Sequence, residues 1–391
     1  MPDSAPGPDP ALERRAWERS ATTRVLHAIG QAPSPVAAAP VIAALASRDG
    51  FDQIVVHAGN PEDWAYAGAM LEQLGCPEPD RRVQMPTASL GCRTAHALMY
   101  FERLMIELDP GVVIVTGTGP GTLACALAAA KAGVPVASLE AGLRSGDWRL
   151  GEEVDRVLID RVADLLLVGS SDAEERLVAE GVNPTAIHTI GSTLIDALRR
   201  CTADIRERRA WEDHDVPEHG YVLVVLRRAD AMLEPARQVR LTDALTTLAA
   251  HAPVVLAVDR GVRDRLLADG VVARLQRAGV RCHGPSNYLT MLSLESAAGA
   301  IVTDSGSVEE EASAFGVDCY SLRAATERIV TLTGGTNRLL GEDPGEIAGI
   351  RPSDHPPTPA AIPLWDGRAA ERVADALLAN YALRAASEAF A

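Results

Sequence analysis

Acidic residues gather beside glycines at two places in this chain, about half its length apart. One is PVASLEAGLRSGDWRLGEEVDR, from Pro135 to Arg156, which carries Glu140, Glu152 and Glu153; the other is TDSGSVEEEA, from Thr303 to Ala312. Each closes or follows a continuous apolar run. A carboxylate at the end of a buried strand faces the crevice where α/β proteins hold ligands. Two such groups, brought in from different sides, can move a proton to and from one carbon. In the second segment Ser305, Gly306 and Ser307 open a helix. Small residues there expose backbone N–H groups to an anion, and the helix dipole adds to the attraction. Arg328, and Arg227-Arg228 just past another apolar run, supply guanidinium groups that fit phosphate oxygens in pairs. The chemistry these types allow is proton transfer beside a bound phosphate.

Each feature also has a plainer reading. Glu140 could cap a turn or pair with Arg144, and Glu309-Glu310-Glu311 has the look of a solvated first turn that suits the dipole. Asp147, Asp155 and Arg156 read as supporting ion pairs, and Glu152 and Glu153 as residues of a short loop. Gly117-Thr118-Gly119-Pro120-Gly121 lies between strand and helix, as a phosphate loop does. Its GxGxG spacing with an internal proline departs from the dinucleotide fingerprint, and no ribose-binding acid stands about 20 residues on. It is either a tight turn or a loop that touches the substrate. Asp213-His214-Asp215 resembles a metal-binding DxD but lies in a charged linker. The histidines are scattered, and the six cysteines include no CxxC pair. No metal, redox cofactor or disulfide framework is expected.

Composition narrows the class. The 391 residues are 47% hydrophobic and 23% charged, with a formal net charge of −16. That charge argues against nucleic acid or an anionic membrane as partner, while a cleft can still be locally positive. Lys131 is the only lysine, in an exposed-looking AAAKAG context, so Schiff-base chemistry has no candidate beyond it. The polar, Pro-rich start lacks a signal peptide's apolar core, and no stretch reaches the ~20 apolar residues of a membrane span. The expectation is a soluble cytoplasmic protein.

The length suggests two domains. Continuous apolar runs at residues 24–29, 53–57, 112–116, 134–139 and 164–168 alternate with helical patterns such as 95–108 and 122–132. The pattern restarts at 221–226, 253–258, 299–303 and 318–322. Unbroken runs between helices predict parallel strands buried on both faces, hence an α/β fold of two Rossmann-like doubly wound domains facing a cleft. The expected division is a flexible extension at 1–20, a first domain at 21–198, a second at 199–365 and a returning helix at 366–391. The charged stretch 196–220 is the expected hinge, and the prolines of 351–363 exclude regular structure.

The blocks SLEAGLRSGD, EEVDRVLIDRVADLL, IGSTLIDAL, TDSGSVEEEASAFG and ATERIVTLTGGTNRLLG together resemble the non-hydrolysing UDP-N-acetylglucosamine 2-epimerases, in order and nearly in spacing. The resemblance implies the glycosyltransferase-B type of fold, a homodimer, and a UDP-sugar substrate held mainly by the second domain. It also implies elimination of UDP and its re-addition with C2 inverted, without a cofactor. Carried over by position, Glu140 and Glu152 match the family's catalytic glutamates, and Ser305, Gly306 and Ser307 its phosphate turn. Glu311 matches its ribose-binding acid and Arg328 its phosphate-binding arginine. Thr118 and Arg144 stand where they could touch the sugar. Several positions depart from the family. Gly30-Gln31-Ala32-Pro33-Ser34 stands for Gly-Thr-Arg-Pro-Glu, Ala37 for a lysine, Thr118 for the catalytic aspartate, and Arg227 for the histidine. Glu327-Arg328-Ile329-Val330 stands for Glu-Arg-Pro-Glu. Arginine holds phosphate but does not exchange protons near neutrality. The resemblance therefore implies an isomerase, suited to a secondary-metabolic sugar such as one in antibiotic biosynthesis. Its rivals are a hydrolase releasing UDP and free sugar, and a non-catalytic UDP-sugar-binding subunit paired with an active paralogue.

Overall fold

The structure, a computed structural model, describes residues 22–388 except 32, 60–63, 228–233, 285, 286, 354 and 356. Residues 1–20, Ala32 and Arg228, singled out above, lie outside the described residues. Two sheets account for the strands. The first holds β1 (Thr23–Ile29), β2 (Phe51–His57), β3 (Arg81–Arg82), β4 (Val112–Thr116), β5 (Val136–Ala141), β6 (Leu165–Val168) and β7 (Ile187–Thr189). The second holds β8 (Val222–Leu226), β9 (Val254–Val258), β10 (Arg281–His283), β11 (Ala300–Thr303), β12 (Cys319–Ser321) and β13 (Asn337–Leu339). Their orders are β3-β2-β1-β4-β5-β6-β7 and β10-β9-β8-β11-β12-β13. Strands pair in parallel, and each order reverses beside its first strand, between β1 and β4 and between β8 and β11. These are two doubly wound sheets, and each reversal opens a crevice at the strands' C-terminal ends.

The centres of both sheets form as their sequences require. Every residue of β4, β8 and β9 is buried, because helices cover both faces and β-branched side chains pack well there. The edge strands β3, β7, β10 and β13 have two or three residues and no apolar run. They were missed in the sequence for that reason. The helix Pro120–Ala132 starts on a proline, which needs no N–H there, and ends at Gly133 with φ 73°. The helix Leu90–Leu108 starts earlier than 95 because the Ser89 hydroxyl accepts from Cys92 N.

The stretch 196–220, expected as the hinge, carries the end of the helix Thr193–Arg200, the helix Thr202–Arg208 and a 3₁₀ turn, Glu212–His214, with Ile205 and Trp211 buried. One expectation is corrected: Glu152 and Glu153 lie on the helix Gly151–Val162 rather than on a loop. The last helix, Ala369–Glu388, packs on the first sheet, where Val373, Ala374 and Leu377 share a core with Val25, Ile114 and Leu167. Asp196 fixes its start by accepting from Ala369 N at 3.1 Å and Ala370 N at 2.8 Å.

Candidate active site

The carboxylate end of β5 is bent on purpose. Its pairing with β6 slips between Leu139 and Ala141, and the residue between them, Glu140, has φ 62°. A left-handed glutamate is uncommon and costs about 1 kcal/mol or more. The bulge re-aims its side chain out of the ladder. Gly142 then turns sharply (φ 80°), and a Cβ there would come within 2.5 Å of the Ala173 carbonyl oxygen. Glu140 thereby reaches across to the second sheet, where Arg328 Nη2 donates to its Oε1 at 2.9 Å. The expected alternative partner, Arg144, is elsewhere. It is buried and donates to Asp160 at 2.8 Å and to both oxygens of Glu180 at 3.0 Å. That pair locks it into the first domain's wall, so a sugar contact from its guanidinium is not what this geometry offers.

The other end of the bridge is the helix Gly306–Phe315. Ser305 is its N-cap residue and makes no side-chain capping bond to a backbone N–H; its hydroxyl instead bonds that of Ser307 at 3.2 Å. Gly306 must lack a side chain, since a Cβ there would stand 2.5 Å from Glu327 Oε1. The start of this helix thus presents N–H groups and two hydroxyls beside Arg328, an arrangement suited to a phosphate.

The three glutamates that follow are not solvated: Glu309, Glu310 and Glu311 are 0%, 3% and 1% exposed. Glu310 takes a hydrogen bond from Arg328 and another from Ser192 Oγ at 2.6 Å, and so ties the second sheet to the first. Glu309 accepts from Ser321 at 2.7 Å and from Thr326, and burial pushes its pKa up to about 7. Glu311 accepts from the Tyr288 hydroxyl at 2.9 Å. Its other oxygen and both oxygens of the neighbouring Glu295 carboxyl are buried and have no hydrogen-bond partner among the described residues. Burial and Glu311 push Glu295 far above the carboxylate range and burial takes Glu311 to about 7, while the charge of Arg227 pulls both down. Arg227 sits just beyond β8, with its N–H on Asp304 Oδ1 at 2.8 Å.

A second bridge runs parallel to the first. Arg156 contacts Glu153 at 3.0 Å, Glu152 at 3.7 Å and, across the cleft, Glu327 at 3.7 Å. Glu327 is also held by Arg323 at 2.6 Å; against the upward push of burial, these cations keep its carboxyl far below the usual range. Glu153 is buried as a structural acceptor for Ser145 N, Ser145 Oγ and Gly146 N. Glu152 keeps its side chain 59% exposed toward the cleft. The Gly117–Gly121 loop is packed tightly against Ser34, Ala58 and Met85. A Cβ on Gly117 (φ 81°) would sit 1.8 Å from Ser34 Oγ, so Ser34 fits only under a glycine. Asp213 pairs with Arg208, and His214 bonds His283 at 2.9 Å. Among the described residues no group of three or more His, Cys, Asp or Glu side chains could hold a metal. Sequence reasoning did not single out Ser192, and it named Glu310 and Glu327 without their partners across the fold, which are 118 and 18 residues away for Glu310 and Arg156 of the first domain for Glu327.

Two Rossmann-like units with an acid-and-arginine cleft at their strand ends define an α/β protein of the glycosyltransferase-B type. More narrowly, the chain belongs to the UDP-N-acetylglucosamine 2-epimerase family, whose model matches residues 43–378. It is 33% identical over 320 residues to a UDP-2,3-diacetamido-2,3-dideoxy-D-glucuronate 2-epimerase of Pseudomonas aeruginosa, covering 81% of this chain and 88% of that one. It is 29% identical over 326 residues to a UDP-N-acetylglucosamine 2-epimerase of Methanococcus maripaludis, covering 82% and 88%. The crystal structure of the Methanocaldococcus jannaschii UDP-GlcNAc 2-epimerase with UDP-GlcNAc and UDP superposes with a TM-score of 0.82 at 26% identity, over 91% of this chain and 99% of that one.

Proposed function

We propose that this chain is an isomerase that inverts C2 of a UDP-2-acetamido sugar by eliminating UDP and adding it back. The observation that carries the reading is Glu140, held in a left-handed bulge at the cleft and bound to Arg328 beside the Ser305–Ser307 helix start. The C2–H of such a sugar has no adjacent carbonyl and is a very weak acid. Expelling UDP lets proton loss and bond cleavage share one transition state. In this scheme Glu140 and Glu152 move the proton, and Ser305, Gly306 and Ser307 take the diphosphate with Arg328. Arg227 is a second clamp on the leaving group, Glu311 receives the ribose diol, and Thr118 contacts the sugar. No metal or redox group enters the scheme. The M. jannaschii complex and the Pseudomonas relative support the UDP-sugar class, and the latter supports a role in a specialised sugar pathway.

The working unit in this reading is a homodimer in the cytoplasm. Exposed Met99 and Ile106 on the helix Leu90–Leu108, with Val154 and Leu158 on Gly151–Val162, give it an apolar face. All six cysteines are free thiols, which suits a reducing compartment, and no described helix is long and apolar enough to cross a membrane. Proton NMR of the protein with UDP-GlcNAc in D₂O tests the chemistry. Deuterium at C2 with formation of the C2 epimer supports isomerisation. Free sugar and UDP alone would make the protein a hydrolase, and an unchanged spectrum a binding subunit.

A further inference from the structure

A recess of about 380 Å³, mouth included, borders the bridge between Glu140 and Arg328, and both residues line it. The turn that carries Trp365 closes another side, leaving that residue 5% exposed. Gly191, with φ 88°, lets the turn approach, since a Cβ there would stand 2.3 Å from the Leu364 carbonyl oxygen. Three of the lining side chains carry a buried polar atom with no hydrogen-bond partner among the described residues: Arg328 Nε, Thr193 Oγ1 and Trp365 Nε1. Buried polar groups are nearly always paired, and a buried indole N–H usually finds an acceptor. Two of these atoms can only donate and the hydroxyl can donate too, so the recess calls for an acceptor. Glu140 and Glu310 also line it, and two carboxylates oppose a second anion. Leu139, Leu143, Ile190 and Val330 supply apolar wall. The occupant that matches is neutral, with a carbonyl oxygen and a short apolar end: a small acyl amide.

We propose that this recess is the subsite for the N-acyl group of the UDP-sugar, with Thr193 and Trp365 donating to the acyl oxygen. The proposal rests on the isomerase reading above, in which Glu140 works at C2. C2 is also the carbon that bears the acylamino group, so a side chain that reaches the C2 hydrogen has that group as its neighbour. The apolar wall takes the methyl, and the two donors replace the hydrogen bonds that the carbonyl oxygen gives up on leaving water. A sugar with a C2 hydroxyl leaves both donors unpaired and the wall uncovered. That is the means by which a site built to bond one substituent rejects an analogue lacking it. Thr193 and Trp365 therefore set which sugar is accepted, while Glu140 and Glu152 keep the proton transfers.

Calorimetry on the full-length chain compares UDP-GlcNAc with UDP-glucose, which carries a hydroxyl at C2. The unmodified protein should bind UDP-GlcNAc about tenfold or more tightly than UDP-glucose, the sum of two such hydrogen bonds and a buried methyl. Thr193→Val and Trp365→Phe each remove one donor and keep most of the shape. Each should weaken UDP-GlcNAc about 3- to 12-fold, the range for one neutral hydrogen bond, and leave UDP-glucose and UDP within about twofold. Equal weakening of all three ligands in both variants, or none, overturns the subsite. Nitrogen–proton NMR of the unmodified protein gives a reading that no repacking can imitate. The indole N–H signal that disappears in Trp365→Phe should move downfield with UDP-GlcNAc and stay in place with UDP-glucose. A signal that does not tell the two sugars apart, or equal affinity for them, also overturns the subsite. C2 exchange in D₂O is scored separately. Discrimination without exchange removes the isomerase reading and leaves the subsite standing, and exchange without discrimination does the reverse.

Discussion

Removing the guanidinium of Arg328 should have two separable effects. Its Nη2 lies 2.9 Å from Glu140 Oε1, its Nη1 donates to Glu310, and its side chain is 9% exposed. In Arg328→Ala, Glu310 keeps only the Ser192 hydroxyl, in a place too dry to hold a bare charge. Breaking a buried pair by deleting one partner costs about 3–5 kcal/mol. Glu140, with 17% of its side chain exposed, can turn partly to water, which places the loss near the lower end, about 3 kcal/mol. The ligand term is distinct. A charged hydrogen bond to the diphosphate contributes about 1.5–3 kcal/mol, so the Kd for UDP should rise about 10- to 150-fold. Urea titration reads the first effect and calorimetry the second. Adding Glu310→Gln to Arg328→Ala removes the stranded charge and should return about 1–2 kcal/mol of stability while UDP binding stays weak. A loss below about 1 kcal/mol, with UDP bound as tightly as before, would refute both the bridge and the phosphate role.

Glu140→Gln keeps an acceptor and loses the base; C2 exchange should drop about 10²–10⁴-fold with UDP affinity nearly intact, and normal exchange would remove Glu140 from the chemistry. The Glu295–Glu311 pair has proton affinities raised above those of free glutamate, Glu311 to about 7. Its penalty is absent below about pH 4.5 and grows as pH climbs through about 7, so stability should fall over that range. Glu295→Gln, whose amide can donate permanently to Glu311, should flatten that slope in denaturant titrations; an unchanged slope would show that this buried pair does not set it. Ile106→Glu puts a charge on a residue that is 79% exposed, where a monomer would tolerate it. Light scattering should report a halved mass, and an unaltered mass would place the dimer face elsewhere.

What the sequence revealed divides along physical lines. Central strands such as β4 and β8 announce themselves because burial on both faces demands an unbroken apolar run. Glu140 could be picked out because it ends such a run beside a glycine, yet its bulge could not, since pairing register belongs to two strands at once. The helix around Glu152 was misread because its first turn, GEEV, offers acids and a glycine instead of an apolar stripe; its N-cap, Leu150, makes no side-chain bond. Arg144 had no local sign of its partners, 16 and 36 residues further on. Its nearness to Glu140 in sequence pointed to the wrong pair.

The run Glu309-Glu310-Glu311 shows why charge alone misleads. Successive residues on a helix point about 100° apart, so three acids in a row cannot share one solvated face. On an exposed helix such a run would still leave two of its members near water. This helix is enclosed, and each acid meets a different wall. Glu309 turns to Ser321 and Thr326 and holds the segment that presents Glu327. Glu310 turns to Arg328 and Ser192 and spans the two sheets. Glu311 turns to Tyr288 and Glu295, under the field of Arg227. Burying three carboxyls is costly unless each finds donors or keeps its proton. Glu310 has Arg328 directly on it, and Glu309 lies 3.7 Å from Arg323 Nη1; burial still takes Glu309 and Glu311 both up to about 7 in proton affinity. The same helix that offers its N-terminus to a phosphate thus carries proton-binding groups one turn behind it. A diphosphate arriving at Ser305–Ser307 brings negative charge toward them and should raise their affinity for protons further. UDP binding is then accompanied by proton uptake near neutral pH. Calorimetry in two buffers of different ionisation enthalpy measures that uptake directly, and an enthalpy that does not change with buffer would show that the buried acids do not sense the ligand.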